Sequence, residues 1–434
     1  MKILVLGGYG LIGSAIARRL EMDGHEVVGL GRDPEIGRNR HPSIPWVGVD
    51  IAALSSTAAW ARYLDEIDFV VNAAGALQNG AKDDLNAVHN KSIAACIDAC
   101  TEQSVAGFIQ ISAVGAEDDA STNFMRTKAS GDAAVRASSL SWMIFRPGLV
   151  ISRDAYGGTS LLRMIASFPG MVPIIMPNAV VSTVNVDDVA MAVSLAIAGQ
   201  LEMQQTIDLV SDEQLSLKSV VLSFRQWLGF SSRSSAFRLP LGFGYLIAKG
   251  ADVMGWLGWR SPLRSTTLKV LGKGVLGDPS HWLAARPEGS EPLSTLQQTL
   301  AKWPATVTDR LYGRVGLVVP LLVIVLSLFW IISGILGIVR LDQSAAYISA
   351  PGGMGLAKTL IFFASMIDIV IGAMFLVRPT TKMASIVAIL VSLAYLFSGT
   401  VFAPSLWLDP LGPFVKIFPA MIAAVCLFLL MEDR

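Results

Sequence analysis

Four long apolar runs, residues 315–339, 356–377, 383–402 and 414–431, constrain this chain more than any other feature. Each is close to the ~20 residues with which a helix crosses a bilayer. In hydrocarbon every backbone N–H and C=O must be bonded within its own segment, so such runs are expected as helices. Buried helices of a soluble core would be shorter and would carry a polar stripe. Composition agrees: of 434 residues 53% are hydrophobic and 16% charged, a charge deficit that points to membrane segments. Basic residues then set the orientation. Arg310 and Arg314 precede the first run, and Arg378 and Lys382 fill the second connection. The third connection, residues 403–413, has neither Lys nor Arg, and the first has only Arg340 and Lys358 at its margins. Positive charge stays inside, so four spans place both termini in the cytoplasm of a multi-pass inner-membrane protein. The N-terminal apolar run is too short for a signal peptide and is cut by glycines, which leaves the front half in the cytoplasm.

That front half alternates strand, turn and helix. Strands are predicted at residues 3–6, 26–30, 46–49, 69–72, 107–112, 141–146 and 205–209. Helical segments between them argue for a doubly wound parallel sheet. The first strand ends in Gly7-x-x-Gly10-x-x-Gly13, and residues 14–22 read as the following helix. A glycine turn between such a strand and helix lets a pyrophosphate approach the backbone and sit on the helix N-terminus. Tyr9, Leu11 and Ile12 belong to the same turn and are expected to line a dinucleotide. At the end of the second strand an acid would bond the ribose hydroxyls of NAD, whereas an arginine accommodates the extra phosphate of NADP. Here Gly31 and Arg32 stand at that point, so NADP(H) is favoured over NAD(H). Asp50, followed by Ile51, closes the third strand where it would meet the adenine amine. Asn72-Ala73-Ala74-Gly75 ends the fourth with small residues that allow close passage.

Other classes recede. Lys+Arg and Asp+Glu balance at 34 each, so no basic excess argues for nucleic acid. Cys96, Cys100 and Cys426 form no metal spacing, the four histidines are scattered, and no metal site is expected. Residues 239–259 are apolar and tryptophan-rich but broken by glycines and charged at Lys249 and Asp252. They could lie on the membrane surface, with Trp256 and Trp259 at headgroup level, or cap a substrate cleft. The division expected is a nucleotide-binding domain at 1–237, a lobe or linker at 238–312 and a membrane domain at 313–434.

These residues resemble the short-chain dehydrogenase/reductase superfamily in its extended or atypical branch, over roughly residues 1–300. The resemblance rests on Gly7, Gly10 and Gly13, Asp50, the Asn72–Gly75 turn, Ser112, Lys128 and Arg146-Pro147-Gly148. It is similar in detail to the NADPH-binding accessory subunit of respiratory complex I and its bacterial relatives. Residues 125–132 (MRTKASGD) and 182–190 (STVNVDDVA) echo their pattern. The resemblance implies that Lys128 holds the nicotinamide ribose, that Ser112 orients a substrate carbonyl, and that Pro147 and Gly148 border the cofactor. The superfamily's general acid is a tyrosine four residues before the lysine; here that position is Phe124, which has no proton to give. Tyr156 and Asp154 lie nearby in sequence but off the motif.

The last 120 residues or so resemble the DoxX-like family of four-helix membrane proteins, through Leu406-Trp407-Leu408-Asp409-Pro410-Leu411-Gly412-Pro413, Lys416 and Pro419. Asp368, midway along the second run, is the membrane site candidate; Ser333 and Tyr395 are its expected partners if its role is structural. The family name derives from a quinone-reducing oxidase component. The fold expected is therefore a Rossmann-type α/β doubly wound parallel sheet followed by an all-α four-helix transmembrane bundle. Two functions compete. One is a membrane-anchored oxidoreductase acting on a lipid or small quinone-like substrate, alone or with a protein partner. The other is a non-catalytic cofactor sensor or assembly factor. A nucleotide-sugar epimerase or dehydratase shares the fold but needs the missing tyrosine.

Overall fold

The computed structural model describes residues 1–80, 83–231, 236–259, 261–347, 353–410 and 412–431. Two compact units emerge, one of Met1–Asp252 with Ser261–Gly313 and one of Val253–Arg260 with Arg314–Arg434.

In the first unit, strands β1 (Lys2–Leu6), β2 (Glu26–Gly31), β3 (Trp46–Gly48), β4 (Phe69–Asn72), β5 (Gly107–Ile111), β6 (Ser141–Pro147) and β10 (Gln205–Leu209) form one sheet. Its order is β10-β6-β5-β4-β1-β2-β3 and every pairing is parallel. Alternate residues sort to opposite faces, as the strand period of two demands. Ile3 and Val5 join Val71, Ile109 and Phe145 under the Leu11–Met22 and Val186–Ile197 helices. Leu4 and Leu6 join Val70, Phe108 and Ile144 under Trp60 and the Ser92–Glu102 helix, where Cys96 and Cys100 are buried thiols. The strand order reverses between β1 and β4, and ligands of doubly wound sheets bind in the crevice at that switch point.

The predicted strands all form, two of them with the expected bounds. The first helix begins at Leu11 instead of residue 14, because Gly10 already has the extended backbone of an N-cap. Pairings that the sequence did not announce are made by β7 (Leu149–Ile151), β8 (Val172–Ile174), β9 (Val180–Asn185), β11 (Gln214–Ser216) and β12 (Ala236–Arg238). They build a β11-β9-β7 sheet and a β12-β8 pair.

Among the described residues three helices are long and apolar enough to cross a membrane: Val307–Val339, Gly353–Leu376 and Arg378–Phe402. The fourth run differs from expectation. It gives a helix of 14 residues, Ile417–Leu430. At ~1.5 Å per residue that is about 21 Å, short of the ~30 Å hydrocarbon core. Gly412 and Pro413 delay its start, and Lys416 occupies the N-cap. Within the motif read at 406–413, Leu411 lies outside the described residues. The Val307–Val339 helix starts eight residues before its apolar run, and its first turns belong to the first unit. There Asp309 pairs with buried Arg163 at 3.2 Å, and the Tyr312 hydroxyl donates to the Ala155 carbonyl at 3.1 Å.

Candidate cofactor-binding site

The crevice at the switch point is built from backbone. Gly7 leaves β1 with φ +69°, and its N–H donates to the Leu30 carbonyl at 2.8 Å. A Cβ there would lie 2.8 Å from the Cα of Ala74, so β1 and the turn after β4 meet without side chains between them. The Gly10 N–H donates to the Gly7 carbonyl at 2.9 Å, and a Cβ on Gly13 would overlap that same oxygen. No side chain caps the Leu11–Met22 helix, whose first turn holds Leu11, Ile12 and Gly13. An uncapped helix start beside a glycine cradle fits a pyrophosphate.

At the end of β2 the Tyr9 ring lies where a Cβ on Gly31 would be, and the Tyr9 hydroxyl accepts from the Asp33 N–H at 3.2 Å. Arg32 is exposed and pairs with Asp83 at 2.8 Å. Asp50 accepts from the Ala52 N–H at 3.1 Å and so caps the short Ile51–Ala53 turn, with Ile51 buried beneath. After β4, Asn72 donates to Gln110 at 2.8 Å and accepts from the Ala74 N–H at 3.1 Å, while Ala73 donates to Leu6. This fixes the Ala73–Gly75 turn against the glycine cradle.

Lys128 and Ser112 stand one sheet position further on, each bonded inward. Lys128, buried on the Asn123–Ala137 helix, donates to the Ile111 carbonyl at 2.8 Å. Burial pushes its ammonium down to about 8, against the pull of nearby Asp132. Ser112 donates to Asp132 at 2.6 Å, so its proton is turned away from the crevice. Asp132 is fully buried, 3.5 Å from Arg146; desolvation raises its carboxyl above the usual range despite Ser112, Lys128 and Arg146. At the end of β6, Gly148 donates to Leu209 at 3.1 Å, and a Cβ there would overlap the Ser182 carbonyl. Tyr156 is exposed, at the N-cap of the Gly157–Ala166 helix.

One residue absent from the sequence reading is His89, on the π-turn Ala87–Lys91. Its Nε2 is 3.1 Å from the Ala76 N–H, which can only donate, so the ring proton sits on Nδ1, 3.0 Å from the Thr127 hydroxyl. Thr127 in turn donates to the Phe124 carbonyl at 3.0 Å. Burial first, and then the charge of Lys128, push His89 down to about 2, so the ring is neutral. The Phe124 ring meets it edge-on, with centroids 5.7 Å apart. The imidazole Nε2 and the Lys128 ammonium both lie close to Gly75, where a Cβ would be 3.3 and 3.6 Å from them. A lone histidine in an apolar stretch gives no spacing signal; only the fold brings it to Lys128.

In the second unit Asp368 is buried and takes both partners read from the sequence: the Tyr395 hydroxyl at 2.7 Å and the Ser333 hydroxyl at 3.3 Å. Small residues permit this, since Cβ atoms on Gly334 and Gly337 would overlap Ser365. Among the described residues no group of His, Cys, Asp or Glu could hold a metal.

Comparison with known proteins agrees with both halves. Residues 7–173 match the NAD(P)H-binding family model and residues 327–425 match the DoxX-like family model. An NAD(P)-binding Rossmann domain is here joined to a DoxX-like membrane domain. A ceramide reductase of Caulobacter vibrioides is 23% identical over 193 residues, 43% of this chain; the match spans 58% of that relative's length. Among solved structures, the Bordetella bronchiseptica enzyme WbmH in complex with NAD+ has 19% identity and a TM-score of 0.54. That likeness covers 72% of this chain and 99% of the other. The UDP-glucose 4-epimerase of Thermotoga maritima has 16% identity and a TM-score of 0.51, over 69% of this chain and 98% of its own. At these identities the structures establish the fold of the Rossmann domain. The DoxX-like match and the apolar helices point to a membrane protein whose first unit carries an NAD(P)H-binding fold.

Proposed function

We propose that this protein is a membrane-held, NADP(H)-dependent oxidoreductase whose substrate is a lipid-like carbonyl compound drawn from the bilayer. The observation that carries the reading is the buried Lys128 ammonium beside Gly75 and neutral His89. A reduced nicotinamide supplies a hydride to a carbonyl carbon, and the protein must then give the oxygen a proton. Phe124 has none, and the Ser112 hydroxyl donates to Asp132. Lys128 carries a proton at neutral pH and, held near 8, releases it more readily than an ordinary lysine. Solvent then reprotonates the amine.

Gly7, Gly10 and Gly13 would cradle the pyrophosphate, with Tyr9, Leu11 and Ile12 around it. Asp50 and Ile51 would border the adenine, Ala73 to Gly75 the ribose, and Pro147 and Gly148 the nicotinamide end. The lipid character of the substrate is supported by the membrane domain and by the ceramide reductase likeness. Arg314, Arg378 and Lys382 near the helix ends support a cytoplasmic, inner-membrane placement of the front domain.

Turnover tests the reading. Purified full-length protein is given NADPH with long-chain ketone or amide-containing lipids and with quinones, and oxidation is followed optically. Lys128→Ala is expected to lower the rate about 10²–10⁴-fold, the contribution of a positioned acid. Phe124→Tyr, which adds a second donor, is expected to raise it. Tight nucleotide retention without turnover of any acceptor would instead establish the sensor reading, which Phe124 and the inward-turned Ser112 favour. For the cofactor, Arg32→Ala is expected to weaken NADPH relative to NADH by about 1.5–3 kcal/mol, the range of a charge-assisted hydrogen bond. An unchanged affinity ratio would remove Arg32 from discrimination.

A further inference from the structure

The Leu241–Trp256 helix turns its large side chains outward. Gly244, Ala248 and Gly255, spaced along one stripe, are buried. On the opposite side Leu246, Val253 and Trp256 are 67%, 63% and 65% exposed, with Phe243 beside them. A helix packed on a soluble core shows the reverse arrangement, large apolar residues inside and polar ones outside. Lys249 is exposed on the same face, between Trp256 and Val253 around the helix, and its long stem can lift the charge away from the apolar side chains.

The end of the same segment identifies what covers this face. Residues Val253–Arg260 belong to the membrane unit, where Met254 and Trp259 pack against the apolar helices. The Trp259 indole donates to the Leu376 carbonyl at 2.7 Å, at the C-terminal end of a membrane helix. The Arg378 N–H donates to the Leu257 carbonyl at 3.0 Å, at the start of the next membrane helix, whose first turn carries Lys382. Tryptophans and basic residues at a helix end mark the membrane–water boundary. We infer that the Leu241–Trp256 helix lies in the bilayer surface, with Phe243, Leu246, Val253 and Trp256 inserted below the headgroups. The occupant of the face is lipid, and Lys249 meets the anionic headgroups.

Depth-dependent quenching tests this in the intact protein. Leu246→Cys, Val253→Cys and, as a control on the exposed start of another helix, Lys218→Cys are made with Cys426→Ser. Cys96 and Cys100 are buried and escape labelling. Each variant is labelled with an environment-sensitive fluorophore and reconstituted in phosphatidylethanolamine–phosphatidylglycerol vesicles carrying a shallow nitroxide lipid. Several-fold stronger nitroxide quenching at 246 and 253 than at 218, with the order reversed for aqueous iodide, is the expected result. Iodide quenching at 246 and 253 equal to that at 218 would overturn it, leaving the face in water. Protection from both quenchers would overturn it in favour of a protein partner.

Discussion

Gly13→Ala is expected to weaken dinucleotide binding while leaving the sheet intact. The added methyl would overlap the Gly7 carbonyl oxygen, which also accepts the Gly10 N–H that shapes the turn. Forcing extra carbon into so close an approach costs about 1–3 kcal/mol. At ~1.4 kcal/mol per decade, cofactor affinity falls about 5–150-fold. Titration of NADPH fluorescence measures it, and circular dichroism checks that the fold survives. Unchanged affinity would show that the Gly7–Gly13 approach does not shape the binding turn.

A pH-dependent stability difference is the second large effect. The Lys128 ammonium titrates near 8 in the folded protein against an ordinary 10.5. Between those values the unfolded chain binds more protons than the folded one, so stability rises with pH. Below 8 the group is charged in both states and the burial penalty is complete; it is relieved as pH rises from about 8 toward 10.5. Relative to Lys128→Met, the wild type should therefore gain about 3 kcal/mol between pH 7 and pH 10.5, at ~1.4 kcal/mol per unit. The comparison cancels the pH-independent loss of the bond to Ile111. Amide exchange or pulse proteolysis of the front unit reads it, and parallel pH profiles of the two proteins would contradict it.

The fold was legible where periodicity was long. Apolar runs of four to six residues between turn signals located every strand of the main sheet, β4 and β10 to the residue. The strands β7, β8, β11 and β12 have three residues each and lie outside the strand–helix alternation that made the equally short β3 legible, and they pair with partners distant in sequence, as does the longer β9. The membrane half was readable because one carboxylate and two hydroxyl groups in apolar runs need one another; Asp368, Tyr395 and Ser333 do meet. Helix length was less readable, since composition did not reveal how far Gly412 and Pro413 would shorten the last one. Around Lys128 the glycines could be read from local chemistry. Asp132 as the acceptor of the Ser112 proton, and His89 as the neighbour of Lys128, depend on how separate helices pack at the carboxyl ends of the interior strands β4 and β5.

The start of the Val307–Val339 helix changes how the halves of this chain can be separated. Arg163 is nearly fully buried, and its carboxylate partner Asp309 is contributed by that helix before the apolar run begins. Removing one member of a buried pair costs about 3–5 kcal/mol, a large share of a domain's stability. A front unit cut before residue 307 would carry a buried guanidinium without its carboxylate, held by the Ser152 and Arg153 carbonyls and the Trp227 ring, and a loop at Ala155 without its tyrosine tether. In modular terms, the first two turns of the Val307–Val339 helix are a folding component of the Rossmann unit, so neither unit can be transplanted whole without them.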